Sequence, residues 1–125
     1  MIIGIGVDIV RVCRFTKWYE TPSLIRRFFH SEEYDTVTAL SKARAVQSLA
    51  ARFAAKEAFV KALGVGFHGI ALADICVHND SLGKPVLYVY GSAQEALEKT
   101  GASRVLVSLS HETDAAVAFV VLERD

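Results

Sequence analysis

The chain has 125 residues, 52% of them hydrophobic, and its fourteen basic and fourteen acidic residues give a formal net charge of zero. This length predicts a single domain over residues 1–125 with a substantial apolar core. The zero net charge argues against binding nucleic acid through an overall field, so any anion site has to be local.

The N-terminal segment MIIGIGVDIV predicts a β-strand with two unlike faces. Side chains alternate along a strand, so Gly4, Gly6 and Asp8 point to the side opposite the large apolar residues at 3, 5, 7 and 9. Asp8 therefore stands on a face that is otherwise bare of side chains.

Helices are predicted from residue 11 to residue 63. The first runs from Arg11 to Glu20 and stops before Thr21-Pro22, because the residue before a proline disfavours helix. A short basic and aromatic segment covers 23–29, and Ser31 starts a further helix with two acids in its first turn. The longest helix covers Ala43–Leu63 and ends at Gly64. The loop GVGFHG (64–69) lacks the strand and helix that flank a dinucleotide loop, so it is interpreted first as a helix stop.

Two hairpins enclose one more helix in the C-terminal half. The first hairpin pairs 74–79 with 85–90 through the turn DSLGK, and the second pairs 104–111 with 115–123 around HETD. Between them Ser92 caps a helix that runs through Lys99 and stops at Gly101. This order predicts an α+β domain with a mainly antiparallel sheet and a long central helix packed on it.

Cysteine content and hydropathy indicate the compartment. Cys13 and Cys76 form no CxxC pair and have no histidine at metal spacing, which suits buried thiols in a reducing cytosol. The longest apolar run, near 115–122, is far shorter than the roughly 20 residues that span a bilayer, and no signal peptide pattern is present. We expect a soluble, cytoplasmic protein without a membrane or nucleic-acid partner.

The segment ARFAAKEAFVKALG (51–64) places small side chains on one face of the long helix. At about 100° per residue, five alanines fall within one arc. These are Ala51, Ala54, Ala55, Ala58 and Ala62. A face this smooth lets another backbone approach closely, and the Gly4 and Gly6 side of the first strand is one candidate partner, although other strands could serve.

The opposite half of this helix mixes charged residues with large apolar ones. Its charged members are Arg52, Lys56, Glu57 and Lys61. In one interpretation Glu57 and Lys61 form an ordinary i,i+4 pair worth about 0.2–0.5 kcal/mol, and the apolar residues meet another helix. In the other, the face lines a cleft or subunit boundary that holds phosphates and a cation, with Asp8 and Glu57 supplying the one or two carboxylates typical of a Mg²⁺ site.

His111 is in phase with the apolar residues of its strand, where a histidine is more often structural than functional. Its position immediately before a turn keeps a site role open. His30, His68 and His78 are interpreted as surface or loop residues.

Several segments together resemble one family. GIGVDIVRVCRF (4–15), LAARFAAKEAFVKALGVG (49–66) and VSLSHE (107–112) resemble the N-terminal, central and C-terminal signatures of holo-[acyl-carrier-protein] synthase, the small bacterial class of 4′-phosphopantetheinyl transferases. The segment DICVHNDSLGKPVLYVYG resembles the middle hairpin of that family. The match runs in order from about residue 2 to residue 123.

The resemblance implies transfer of phosphopantetheine from coenzyme A to a serine of apo acyl carrier protein, in support of fatty acid biosynthesis. The transfer leaves adenosine 3′,5′-bisphosphate. The resemblance further implies Mg²⁺ bound by Asp8 and Glu57, pyrophosphate held near Lys61, and a homotrimer with active sites between subunits. Asp8, Glu57 and Lys61 are then the catalytic candidates. The residues expected to contact coenzyme A are Arg52, Lys56, Lys61, Gly64 and His111.

The family docks its acidic carrier protein on the first helix, where Arg14 matches the family's arginine. Arg14, Lys17 and Arg27 are therefore the candidate carrier-binding residues, the alternative being a merely solvated charged surface.

Three positions depart from the family pattern: Cys13, His30 and Ala51. Two other functions are open, a degenerate module that only binds coenzyme A or the carrier, and a structural oligomeric domain.

Overall fold

The computed structural model describes residues 1–64 and 69–125, so the predicted role of the GVGFHG loop and of His68 falls largely outside the described residues. The elements in chain order are β1 (Ile2–Arg11), α1 (Thr16–Tyr19), α2 (Pro22–Phe28), α3 (Ser31–Thr38), α4 (Lys42–Leu63), β2 (Ile75–Asn79), β3 (Pro85–Val89), α5 (Gly91–Thr100), β4 (Arg104–His111) and β5 (Ala115–Glu123). Within the described ranges, no helix combines the length and apolarity needed to cross a bilayer.

All strand pairs are antiparallel, which confirms the predicted α+β class. Strands β1, β5 and β4 form a three-stranded sheet in that order, and β2 pairs with β3 in a separate hairpin. Both predicted hairpins are present. The register pairs Gly6 with Val120 and Asp8 with Ala118, so these residues share the inner face of the sheet. Helix α4 packs across that face and supplies more of the described buried core than any other element.

The glycines of β1 allow α4 to approach the strand backbone to backbone. A Cβ added at Gly6 would collide with the Ala58 carbonyl oxygen and lie 2.7 Å from the Ala62 nitrogen, and one added at Gly4 would lie 3.2 Å from the Ala62 carbonyl carbon. The predicted contact between the alanine face and the glycine side of β1 is therefore confirmed, through Ala58 and Ala62.

Gly6→Ala is expected to destabilise the fold by about 1–3 kcal/mol or more, because the colliding atoms belong to a helix backbone that cannot rotate away. Urea unfolding measures the change. Ser81→Ala, in the exposed turn between β2 and β3, is the control and should leave the midpoint nearly unchanged. A Gly6→Ala variant as stable as this control would contradict the close packing.

The predicted helix over 11–20 is wrong in its first half. Strand β1 continues to Arg11, a 3₁₀ turn covers Val12–Phe15, and α1 has only four residues. The Val12 N–H donates to the Asp114 carbonyl at 2.9 Å, which extends the pairing with the β4–β5 turn. Phe15 is fully buried against Phe53. These tertiary contacts outweigh the local helical pattern.

Helix α5 begins one residue before the predicted cap. Tyr90 is the N-cap, and Ser92 lies inside the first turn. The Ser92 N–H and hydroxyl both donate to one carboxylate oxygen of Asp74, at 2.9 and 2.6 Å. The acceptor for the start of α5 thus comes from a 3₁₀ turn (Leu72–Asp74) distant in sequence, which a local capping pattern cannot reveal.

Candidate active site

Asp8 and Lys61 meet where α4 crosses the inner face of β1. The Lys61 Nζ donates to Asp8 Oδ1 at 3.0 Å and to the Val7 carbonyl at 3.1 Å. The Asp8 side chain is 17% exposed and that of Lys61 is 53% exposed, so the pair borders solvent. The contact of Lys61 with Asp8 differs from the i,i+4 pair with Glu57 that the sequence left open.

Glu57 lies one helical turn before Lys61, on the same flank of α4. Burial raises the pKa of Glu57, and the negative charge of Asp8 raises it further, whereas Arg14 and Lys61 lower it. A charge shifts the pKa of another group mainly when the two lie close together. The structure therefore brings the predicted residues Asp8, Glu57 and Lys61 together, with Arg14 beside them.

Arg14 reaches this group across an aromatic surface. Its guanidinium lies 5.0 Å from the ring centre of Phe53 and 5.5 Å from that of Phe15. Phe53 is one turn before Glu57 on α4, and Trp18 of α1 packs against it at 5.5 Å. The aromatic contacts fix the segment that carries Arg14 next to the carboxylates.

The other flank of α4 carries a buried ion-pair cluster. Lys56 is completely buried, and its Nζ donates to Glu33 Oε1 at 2.6 Å, to the Leu72 carbonyl at 2.9 Å and to the Ile75 carbonyl. Burial lowers the pKa of Lys56, and Glu33 opposes this shift. An ammonium group has three N–H donors, and all are used here. We therefore correct the predicted phosphate contact of Lys56 and assign this residue to the core.

Arg52 extends the same cluster. Its Nε donates to Ser48 Oγ at 3.0 Å, its Nη1 donates to the Val77 carbonyl, and this Nη1 lies 3.6 Å from Glu33 Oε2. Glu33 also accepts the Val77 N–H at 3.0 Å. The sequence reasoning recognised Glu33 only as an acid in a helix first turn and missed this role. The one available signal was a pair of cations, Arg52 and Lys56, one helical turn apart with only apolar residues between them.

A cleft of about 510 Å³ lies between α4, the β2–β3 hairpin and the end of β4. Arg44, Arg52 and His111 line it, whereas Asp8, Glu57 and Lys61 are absent from its lining. His111 pairs with Ala116 and so shares the inner face of β4, as predicted. Within one chain, then, Arg52 and His111 belong to a different surface from the two carboxylates. Arg44 was missed by the sequence reasoning.

The remaining predicted site residues lie at exposed positions. Gly64 ends α4 with a positive φ of 76°, and its N–H donates to the Lys61 carbonyl at 3.1 Å. Lys17 lies on α1, and Arg27 lies on α2 with its guanidinium 5.1 Å from the ring centre of Phe28. Both cations are exposed, as Arg14 is.

The sequence and the fold both match known proteins. Residues 4–120 match the model of the 4′-phosphopantetheinyl transferase superfamily. The chain is 50% identical to a holo-[acyl-carrier-protein] synthase of Treponema denticola over 124 residues, which cover 98% of this chain and 99% of that protein. It is 47% identical to the Geobacter metallireducens protein of the same name, over 99% of each chain.

Solved structures show the same relationship. The holo-[acyl-carrier-protein] synthase of Neisseria meningitidis superposes with a TM-score of 0.89 at 39% identity and covers 99% of this chain and 100% of its own. The Bacillus anthracis protein, solved in complex with CoA (3′,5′-ADP), gives 0.84 at 36% identity over 100% and 99%. With full-length matches in both sequence and fold, the chain belongs to the holo-[acyl-carrier-protein] synthases, transferases of the 4′-phosphopantetheinyl transferase superfamily.

Proposed function

We propose that this chain transfers 4′-phosphopantetheine from coenzyme A to a serine hydroxyl of apo acyl carrier protein in a Mg²⁺-dependent reaction that supports fatty acid biosynthesis. The products are holo acyl carrier protein and adenosine 3′,5′-bisphosphate. The observation that carries the proposal is the convergence of Asp8, Glu57 and Lys61 at a solvent-bordering edge of the α4–β1 contact. The coenzyme A complex of the Bacillus anthracis relative supports the choice of donor.

The two carboxylates fit a magnesium ion. Burial raises the pKa of Glu57 and the charge of Asp8 raises it further, which supports a site where two neighbouring carboxylates gain from a shared cation. Hard oxygen donors in this number are what Mg²⁺ takes from proteins that also bind phosphates. We propose that Asp8 and Glu57 hold it, and that it supplies positive charge to the pyrophosphate oxygens.

The chain's own residues then align the reactants and handle the proton. The serine oxygen bonds to the β-phosphorus as the bond from that phosphorus to the leaving adenosine bisphosphate oxygen breaks. Glu57 is our candidate to accept the serine proton. Lys61, anchored by Asp8 and the Val7 carbonyl, holds its ammonium where it stabilises the departing phosphate or protonates it.

The second surface suits the nucleotide end of coenzyme A. Arg52 and His111, with Arg44, line a cleft large enough for part of a cofactor and offer donors to an anion. Because this cleft lacks the carboxylates, we propose that one subunit contributes Arg52 and His111 while its neighbour contributes Asp8, Glu57, Lys61 and the backbone at Gly64. This division requires an oligomer with sites between subunits, and we propose the homotrimer that the family resemblance implies.

An apolar sheet face supports such association. The outer face of the three-stranded sheet exposes large apolar side chains of neighbouring strands. These are Ile5 (61%), Val7 (53%) and Ile9 (68%) of β1, Phe119 (43%) of β5 and Leu106 (47%) of β4. Soluble monomers rarely expose a contiguous patch of this kind, so we expect other copies of the chain to cover it.

Ile5→Lys is expected to convert the assembly to monomers, because a charge placed in a buried apolar interface has no partner. Analytical ultracentrifugation at micromolar concentration measures the mass. Leu82→Lys alters an equally apolar and more exposed residue, at 92% exposure, in the β2–β3 turn and should leave the mass unchanged. Sedimentation of wild type as a monomer would refute the trimer.

Arg14, Lys17 and Arg27 are our proposed contacts for the acidic carrier. All three are exposed cations, and Arg14 adjoins the carboxylates, so a bound carrier would bring its serine to them. Lys17→Glu is expected to raise KM for the carrier several-fold while kcat changes little, and rising salt should shrink this difference. An unchanged KM at low salt would remove Lys17 from the docking surface.

Mass spectrometry of apo carrier protein incubated with coenzyme A, Mg²⁺ and this chain tests the reaction. We expect the carrier to gain one phosphopantetheine as adenosine 3′,5′-bisphosphate appears. Tight binding of coenzyme A without a mass gain on several carriers would instead favour a binding module. We place the reaction in the cytoplasm, since Cys13 and Cys76 are free thiols, in keeping with a reducing compartment.

A further inference from the structure

The start of α3 and strand β2 bring together metal-ligating side chains that the transfer reaction does not use. The His78 Nε2 lies 2.6 Å from Glu32 Oε2 and 3.2 Å from Cys76 Sγ. One ligand atom each of His30, Glu32 and Cys76 also lies within 4.8 Å of the others. A thiol, an imidazole and a carboxylate therefore converge on one point.

The fold explains the convergence. Cys76 and His78 are two residues apart on β2, so they point to the same face, while Val77 between them points into the core. Helix α3 begins over that face and supplies Glu32. Cys76 is fully buried, whereas the side chains of His78 and Glu32 are 32% and 56% exposed. The cluster is thus closed on the thiol side and open to solvent on the other.

We propose that Glu32, Cys76 and His78 bind a divalent transition-metal ion of the Zn²⁺ type. Sulfur, nitrogen and oxygen donors from cysteine, histidine and a carboxylate are the ligands that zinc takes in proteins. Mg²⁺ prefers oxygen donors alone, so the two carboxylates at Asp8 and Glu57 and this mixed set select different ions.

The atoms that would hold the ion are set by the contacts already present. The His78 Nε2, which pairs with Glu32 Oε2, is the ring nitrogen that faces the other two ligands. A cysteine holds a metal ion as its thiolate, so binding at Cys76 breaks the S–H bond and releases that proton to the buffer.

His30 forms the wall of the site and is not required as a ligand. Its Nδ1 accepts the Glu32 backbone N–H at 3.1 Å and so caps α3, and its ring stacks on Tyr90 with centres 5.0 Å apart. The bound ion would tie α3 to β2, next to the buried contact between Glu33 and Val77.

Cobalt binding to chelator-stripped protein tests the proposal, because Co²⁺ replaces Zn²⁺ and reports thiolate ligation by a charge-transfer absorption. We expect this absorption with one Co²⁺ per chain, its loss on adding Zn²⁺, and no effect of excess Mg²⁺. Cys76→Ser should abolish the absorption, whereas Cys13→Ser, which alters the exposed free cysteine, should retain it. Zn²⁺ should also raise the melting temperature of wild type.

Glu32→Gln provides a test that does not disturb the core, since Glu32 is exposed. It should weaken Co²⁺ binding at least about tenfold. Asp35→Asn, an exposed acid on the same helix, should leave the affinity unchanged. Absence of the charge-transfer absorption, its persistence in Cys76→Ser, or equal affinities of Glu32→Gln and Asp35→Asn would each overturn the site. None of these readouts depends on transferase activity.

Discussion

Glu57→Gln is expected to lower kcat/KM for carrier modification by about 10²–10⁴-fold, the range that a positioned acid or base contributes. The substitution keeps the size of the side chain but removes the carboxylate that we propose both accepts the serine proton and holds the metal. Initial rates at saturating Mg²⁺ measure the loss. Glu95→Gln, at an exposed position of α5, is the matched control and should keep the wild-type rate.

The pH profile distinguishes a base from a residue that only holds the metal. Because burial and Asp8 raise the pKa of Glu57, the wild-type rate should fall on acidification at a higher pH than an ordinary glutamate would give. Mg²⁺ competes with the proton and should shift this limb to lower pH. Normal Mg²⁺ affinity together with a normal rate in Glu57→Gln would eliminate both roles.

The raised pKa of Glu57 also predicts how ionisation of this residue affects the stability of the fold. A carboxyl whose pKa is raised in the folded state contributes stability that is complete below the unfolded pKa and is lost as pH rises through the folded pKa. At pH 7 without Mg²⁺, ionised Glu57 is therefore a cost to folding. Glu57→Gln should then melt at a higher temperature than wild type, although it is the less active protein.

Glu33→Ala is expected to destabilise the fold by about 3–5 kcal/mol, because it leaves buried charge without its counterion. Lys56 loses its 2.6 Å partner, Arg52 loses its ion pair, and the Val77 N–H loses its acceptor. Urea unfolding of the variant measures the cost. Asp35→Ala, two residues further along α3 and exposed, provides the baseline for removing an acid from this helix.

A double variant separates the ion pair from simple packing. Glu33→Leu with Lys56→Met should recover part of the stability lost in Glu33→Ala, because the fully buried ammonium of Lys56 is then removed together with its counterion. The recovery is incomplete, because buried Arg52 still lacks the carboxylate of Glu33. If Glu33→Ala cost no more than Asp35→Ala, the buried cluster would not hold α3, α4 and β2 together as described.

Local sequence patterns predicted the helices and strands that show regular hydrophobic periodicity or that end at a turn residue. The two hairpins and the end of α4 at Gly64 follow from alternation and from glycine in a left-handed conformation. The contact of α4 with β1 was one of the packings that the small side chains on both surfaces allow, and the structure selects it. Asp8 and Glu57 came together for the same reason, since the Ala58 contact fixes the register of helix on strand.

The sequence alone did not show which charged residues of α4 are buried and which border solvent. Lys56 and Glu57 are neighbours in the chain, yet one is enclosed by Glu33 and backbone carbonyls while the other borders solvent beside Asp8. Which of these charged side chains is buried depends on where α3 and β2 pack against α4. That packing is determined by contacts between residues distant in sequence. Family resemblance grouped Arg52, Lys56 and Lys61 as cofactor contacts, and only the fold separates them.

The most direct test of the central claim is carrier modification as a function of Mg²⁺ in wild type and in Asp8→Asn. Asp8 is the carboxylate that both pairs with Lys61 and raises the pKa of Glu57. We predict that wild type modifies apo carrier protein only when Mg²⁺ is present, and that Asp8→Asn requires far more Mg²⁺ and turns over more slowly. Full activity of wild type in excess chelator, or an unchanged Mg²⁺ requirement in Asp8→Asn, would contradict a metal site at Asp8 and Glu57.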